Sequence, residues 1–323
     1  MKIIDLHQDL IPYLEEYEKD SLIKNQTSWD GLVKNNIKIL LPTANSWEYF
    51  NWENQKPQPK LNDLITINFE KYNKEVKERD SFVLIKNKND FGNVLKDDNK
   101  TGLILHLEGV DYFEDKKEYW DLLEKWYEMG WRSIGIVWNI ENSLAGGTNT
   151  PEIGLKDLGK KVLKWAISKN MVIDYAHMNE KLFWEVRKFL VNELNYSKPV
   201  YVSHSAVRKF YDNDRNLTDE QLEEIKKTNG IVGLFFSYKY MGDKNTTIND
   251  FLNQVDYIKN KIGIDFIGIG SDLGGFINNT IEGLSSVNDI QNLELKLKER
   301  GYSQNEIEKI FYKNALRVLR EFL

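Results

Sequence analysis

The 323-residue chain has no cysteine, which excludes disulfides and thiolate metal sites together. Any metal must therefore be held by histidine and carboxylate. No run approaches the roughly 18 consecutive apolar residues that a membrane span needs. The opening MKIIDLHQDL is too short and too soon polar for a secretory signal, so the sequence reads as a soluble, cytoplasmic protein that does not engage membranes. An excess of basic charge is also missing. Lys plus Arg number 44 against 50 Asp plus Glu, a net charge of −6, which argues against nucleic acid as a partner and leaves small-molecule substrates open. No repeat or low-complexity linker marks a domain boundary. The expectation is one domain over residues 1–323, with a C-terminal helical extension from about residue 288.

Histidine is scarce rather than absent, and its placement is informative. Of four histidines, three close an apolar run: His7 ends KIIDLH, His177 ends MVIDYAH and His204 ends PVYVSH. Two further runs end on acids, GLILHLEG with Glu108 and DFIGIGSD with Asp272, and Asp9 follows His7 by two residues. Polar groups at the ends of buried strands are costly unless something pairs with them. A metal centre drawn from several strand ends accounts for all these positions at once.

Short apolar runs alternate with amphipathic stretches, the pattern of βα units around a parallel sheet. Strands are expected over residues 2–7, 36–41, 102–107, 133–138, 171–176, 199–203, 230–236 and 265–271, with FVLI at 82–85 as an extra edge strand. Eight strands are the number that closes a TIM-like (β/α)8 barrel, an α/β fold whose functional residues gather at the C-terminal ends of the strands. A helix is expected over about residues 61–79. Thr218 and Gln221 form a T-x-x-Q cap for another, and EIEKIFYKNALRVLREFL reads as a terminal helix pair.

Each motif has a plainer reading as well. A lone H-x-D is more often structural, Glu108 could pair with an arginine, and His177 and His204 could be hydrogen-bonded core histidines. His106, two residues before Glu108, could orient that carboxylate or simply fill the interior. In one register, however, His7, Asp9, Glu108, His177 and His204 make a ligand set. Five ligands exceed what one catalytic Zn²⁺ takes. Two ions sharing Glu108 fit better, one with His7 and Asp9, the other with His177 and His204. Such ions, about 3.5–4 Å apart, bridge and activate a hydroxide and polarise a carbonyl. Arg215, eleven residues past His204, lies where it could enter the pocket or remain on a surface loop. Trp29, Trp47 and Trp52 are candidates for the pocket rim.

The ordered set DLHQDL, LEGVD, WNIENSLAGG, GLKDLGKKVLKWAISKNMVIDYAHMN, PVYVSHSAVR, DRNLTDEQL and GIDFIGIGSDLGG resembles the membrane (renal) dipeptidase family of zinc peptidases, in a soluble bacterial form. The resemblance extends from residue 1 to KNALRVL. It implies a (β/α)8 barrel with two Zn²⁺ per chain that hydrolyses dipeptides, and a possible homodimer. By position, His7 and Asp9 match ligands of one zinc, Glu108 the bridging ligand, and His177 and His204 ligands of the other. Arg215 matches the arginine that binds the substrate carboxylate, and Asp272 the acid that meets the substrate amine and moves protons.

Three departures stand out. Mammalian members carry a substrate-contacting histidine where this chain has Trp138, with Asn139 as a substitute donor. The usual D-F-D-G is D-L-G-G here, so Gly274 replaces an acid. A tyrosine expected after the seventh strand falls near Ser237, which makes Tyr238 a candidate contact with Tyr240 close by. Three alternatives therefore stay open. One is a related amidohydrolase acting on N-acyl amino acids or β-lactams, and another is a catalytically impaired binding homologue. The third is a metal-free sugar-binding barrel or glycosidase, which 12% aromatic content permits but which leaves His177 and His204 unexplained.

Overall fold

A computed structural model describes residues 1–11, 26–45, 50–51, 56–57, 61–111, 113–275 and 279–323. Its barrel strands are β1 (Ile3–Gln8), β2 (Ile37–Asn45), β3 (Leu105–Glu108), β4 (Trp131–Gly135), β5 (Val172–Ile173), β6 (Tyr201–Ser205), β7 (Ile231–Leu234) and β8 (Ile267–Ile269). They hydrogen-bond in the order β6-β7-β8-β1-β2-β3-β4-β5. The remaining seam is closed by a parallel bridge between Asp174 and Tyr201, where the Tyr175 N–H donates to the Tyr201 carbonyl at 2.9 Å. The architecture is the eight-stranded parallel barrel with surrounding helices that the alternating pattern predicts.

The strands are shorter than their apolar runs, because a run also covers the turns that leave the ladder. The expected strand 102–107 is split. Thr101–Leu103 pairs with the first half of β2 and, on its other side, with the extra strand Phe82–Leu84. Beyond Ile104, β3 pairs with the second half of β2 and with β4. Over 171–176 only Val172–Ile173 forms a ladder, since Asp174 turns its side chain to accept hydrogen bonds from β6. The run 265–271 begins in a 3-10 turn, Ile264–Phe266.

Helices cover the outside. Leu61–Glu78 and Asp219–Lys227 form where the sequence places them, the second opening on a full capping box between Thr218 and Gln221. Lys117–Met129 stops at Gly130, whose φ of 134° a side chain would strain. Among the described residues no helix is long and apolar enough to cross a membrane.

Two apolar layers result. The larger lies between strands and helices and includes Ile37, Leu40, Trp126, Val162 and Phe251. The smaller joins Ile4, Leu6, Ile39, Leu41, Val172, Tyr201 and Ile231. Residues from five strands meet in one cluster only across the barrel interior. Ala315, Val318, Leu319 and Phe322 of the C-terminal segment pack against them. Trp29 belongs to the outer packing, edge-on to Phe82 with ring centroids 4.8 Å apart, rather than to a pocket rim. Trp47 and Trp52 lie outside the described residues.

Candidate metal centre

The C-terminal strand ends bring His7, Asp9, Glu108, His177, His204 and Asp272 together, each no more than 8% exposed. Glu108 Oε1 is the hub. It lies 2.8 Å from His177 Nε2, 3.3 Å from His7 Nε2 and 3.4 Å from His204 Nε2. Asp272 approaches His7 Nε2 at 3.6 Å and His204 Nε2 at 3.8 Å, and Asp9 approaches His7 Nε2 at 3.9 Å. The groups compact enough to hold one ion include Glu108–His177–His204 and His7–His204–Asp272. Asp272, expected from the sequence to move protons, thus joins a compact group with His7 and His204, whereas Asp9 falls in none of the compact groups among the described residues.

Hydrogen bonds on the far ring nitrogens decide what this cluster can hold. His177 Nδ1 is 2.7 Å from Asn139 Oδ1, an acceptor, so Nδ1 carries the proton. Ser203 Oγ gives its only hydrogen to Asp174, so it must accept from His204 Nδ1 at 2.7 Å. Both Nε2 atoms therefore present lone pairs, and they face one another at 3.0 Å beside Glu108 Oε1. Three acceptors converge with no hydrogen between them, an arrangement that repels itself unless a cation sits there. Neither ring nitrogen of His7 is aligned for a hydrogen bond, although the ring is fully buried. The residues present fit a divalent metal.

The electrostatics agree. Burial alone would lower His7, but Glu108, Asp272 and Asp9 hold its imidazolium up to about 10. Burial lowers His177 to about 4, and burial together with His7 and Arg215 holds His204 well below its ordinary value, leaving both rings neutral as ligation requires. Burial would raise Glu108, but His7 and His177 keep it well below the usual carboxylate range. Burial pushes Asp272 well above that range, with Asp9 and Glu108 adding to the rise against the pull of His7.

Local backbone geometry puts these side chains in place. Among the described residues six non-glycine residues have left-handed φ; four are asparagines and the other two are His177 (63°) and Asp272 (58°). Both site residues thus leave their strands through a sparsely populated conformation held by neighbours. The Asp272 N–H donates to the His7 carbonyl at 2.9 Å. Asn179, completely buried two residues beyond His177, donates to the carbonyls of Gly146, Gly147, Thr150 and Ile153, which ties the loop after β4 to the end of β5. At Gly274 (φ 94°) a Cβ would sit 2.1 Å from the Asp9 carbonyl oxygen. With this backbone the residue must be glycine, which gives the D-L-G-G departure a steric reason.

Arg215 is buried, its charge reaches His177, His204 and Asp272, and its Nη2 has no hydrogen-bond partner. Its guanidinium lies 5.7 Å from the Phe235 ring centroid. Trp138 is half-buried, with its ring 5.9 Å from that of His177. Asn139 turns its carbonyl to His177 and to the Thr148 hydroxyl. Of the two tyrosines, Tyr240 shares an electrostatic environment with Arg215, Asp272 and Glu108, whereas Tyr238 has no described contact with the cluster. His106 turns to Ser133 Oγ (2.9 Å) and Asp174 Oδ2 (3.3 Å), and so lines the interior beneath the centre.

Four residues escaped the sequence reading. Asp5 accepts from Ser271 N–H (2.9 Å), Ser271 Oγ (2.5 Å) and Gln8 Nε2 (2.6 Å). Asp174 accepts from Ser203 N–H (2.9 Å) and from the Ser203 hydroxyl. The signal was present: an aspartate inside each of two apolar runs, and a serine immediately before His204 and before Asp272. A buried carboxylate needs partners, and these serines provide them.

A parallel (β/α)8 barrel with a buried histidine–carboxylate cluster at its C-terminal mouth defines the class of metal-dependent hydrolases. Within that class the chain belongs to the membrane dipeptidase family (peptidase family M19), whose sequence model matches residues 1–322. An uncharacterized protein from the pqqA 5′ region of Klebsiella pneumoniae is 30% identical over 237 residues, 70% of this chain and 83% of that protein. Dipeptidase tcpJ of Claviceps purpurea is 27% identical over 230 residues, 69% of this chain; the match spans 52% of that longer protein. In fold, the chain superposes on a Rhodobacter sphaeroides metallo peptidase, solved with a phosphinate mimic of the dipeptide L-Ala-D-Ala. The TM-score is 0.82, with 18% identity, 100% of this chain and 99% of that one covered.

Proposed function

We propose that this protein is a dipeptidase with two zinc ions, one held by His7, Asp9 and Glu108 and the other by Glu108, His177 and His204. The observation that carries the proposal is the convergence of the His177 and His204 Nε2 lone pairs on Glu108 Oε1. Ions bound there supply a nucleophile at neutral pH and a polarised scissile carbonyl. Asp272, facing His7 and His204, takes the proton of the attacking water and returns it to the leaving amine. Arg215 receives the substrate's terminal carboxylate through a charge-assisted pair, which uses its unpartnered Nη2 and selects dipeptides over longer chains. Trp138 walls the site beside His177. The Asn139 amide nitrogen and the Tyr238–Tyr240 turn are the remaining groups for substrate contact, and Tyr240 is the better placed of the two tyrosines.

Elemental analysis of gently purified protein should approach two zinc per chain. Free dipeptides should turn over, lose that turnover on chelation and regain it with zinc. A plateau at one ion with full activity removes the two-ion reading. The second reading is the same centre acting as an amidohydrolase on N-acyl amino acids or β-lactams. Equal hydrolysis of free and C-terminally amidated dipeptides would favour that reading.

A further inference from the structure

Beneath His204 a polar chain runs inward. The imidazole Nδ1 meets Ser203 Oγ at 2.7 Å, and Ser203 Oγ donates to Asp174 Oδ2. Asp174 is 1% exposed and sits on the barrel's closing seam. It also accepts from the backbone N–H groups of Ser203 (2.9 Å) and Ala176 (3.0 Å), with His106 Nε2 at 3.3 Å. Asp174 accepts from the Ser203 hydroxyl, whose one hydrogen is thereby committed, so that hydroxyl can meet His204 only as acceptor. The chain thereby dictates which nitrogen of His204 bears hydrogen.

We propose that Asp174 and Ser203 are positioning residues that lock His204 as its Nδ1–H tautomer and so present the Nε2 lone pair to the metal. Asn139 performs this service for His177 in one step, whereas His204 receives it through a hydroxyl. A similar Asp–Ser pair, Asp5 with Ser271, has no imidazole on its serine and provides the internal control. The inference rests on the reading of His204 as a metal ligand, but its tautomer can be read without metal.

Ser203→Ala removes the hydroxyl and keeps the backbone bond to Asp174, so the seam stays closed. Four histidines make selective ¹⁵N-imidazole spectra of the metal-free protein tractable. The expected result is a His204 signal fixed as Nδ1–H in wild type and in Ser271→Ala, and moved toward the other tautomer in Ser203→Ala. Zinc affinity, measured by chelator competition, should fall about 10–100-fold in Ser203→Ala, the usual effect of removing a ligand's hydrogen-bond partner. The metal-free protein should still fold cooperatively, with a thermal midpoint lowered only by the loss of one buried hydroxyl partner. Ser203→Thr, which restores a hydroxyl, should recover part of the affinity.

An unchanged tautomer and affinity in Ser203→Ala overturn the proposal. So does an unfolded Ser203→Ala apoprotein, because Ser203 would then be holding the seam and not the ring. Wild-type protein that binds no zinc but shows the locked tautomer would instead remove the metal reading and leave the relay standing.

Discussion

The two ends of the barrel bury polar groups equally deeply and treat them differently. At the N-terminal end Lys38 is 1% exposed, and its ammonium donates to the Asp97 carbonyl at 2.5 Å and the Lys100 carbonyl at 2.7 Å. At the C-terminal mouth His7 is completely buried with neither ring nitrogen bonded, two Nε2 lone pairs face each other, and Arg215 Nη2 has no partner. A charge buried with its partners in place ties the loop at 97–100 to β2. A cluster buried with its partners missing is a site prepared for something else. Burial therefore does not separate function from structure here, and neither does a single unbonded atom, since Trp131 Nε1 lacks a partner too; the convergence of several titratable groups on one point does.

The sharpest way to break this contrast is at the shared carboxylate. Glu108→Gln preserves shape and removes the charge that His7, His177 and His204 all approach. Metal content should fall toward zero by elemental analysis, and dipeptide turnover should fall below detection. Retention of both ions would mean that Glu108 is not the hub. Next in size is Asp272→Asn. As proton carrier it should keep its zinc while kcat falls by about two to four orders of magnitude. Metal loss as severe as that of His7→Ala would make Asp272 a ligand, an outcome its 3.6 Å approach to His7 makes worth testing.

Arg215→Ala should reduce kcat/KM on free dipeptides at least about tenfold, since charge-assisted bonds contribute roughly 1.5–3 kcal/mol. It should change little on C-terminally amidated dipeptides, and an equal loss on both would show a purely structural arginine. The smallest effect on catalysis is expected at the opposite end. Lys38→Met leaves two carbonyls unsatisfied and should lower stability by about 1–3 kcal/mol, read as an earlier denaturation midpoint. Turnover by the folded protein should be unchanged. A fall in kcat would show that the two ends are coupled.

The chain's pattern made much of this architecture legible. Apolar runs alternating with amphipathic stretches specify βα units, because burial on both faces demands continuous apolar strands. The barrel follows from their number. The candidate ligands were legible for the same reason, since a histidine or acid that ends an apolar run lies at or a few residues beyond a strand's C-terminal end, where the loops converge. Even the capping box at Thr218 was local enough to read directly.

Tertiary structure alone decided what passes between strands. That Ser203 meets Asp174, 29 residues earlier, depends on the register across the closing seam, to which no local pattern is sensitive. Which nitrogen of His177 carries hydrogen follows from Asn139, on the loop that Asn179 ties down, and which nitrogen of His204 does so follows from Ser203 on β6 and its Asp174 partner across the seam. Tyr240 rather than Tyr238 turns toward Arg215 because a short 3-10 turn, not a strand, follows β7. Gly274 is required only because the Asp9 carbonyl lies against it. Periodicity along a chain specifies which face a residue takes, but the partners it finds there are set by register and turn geometry.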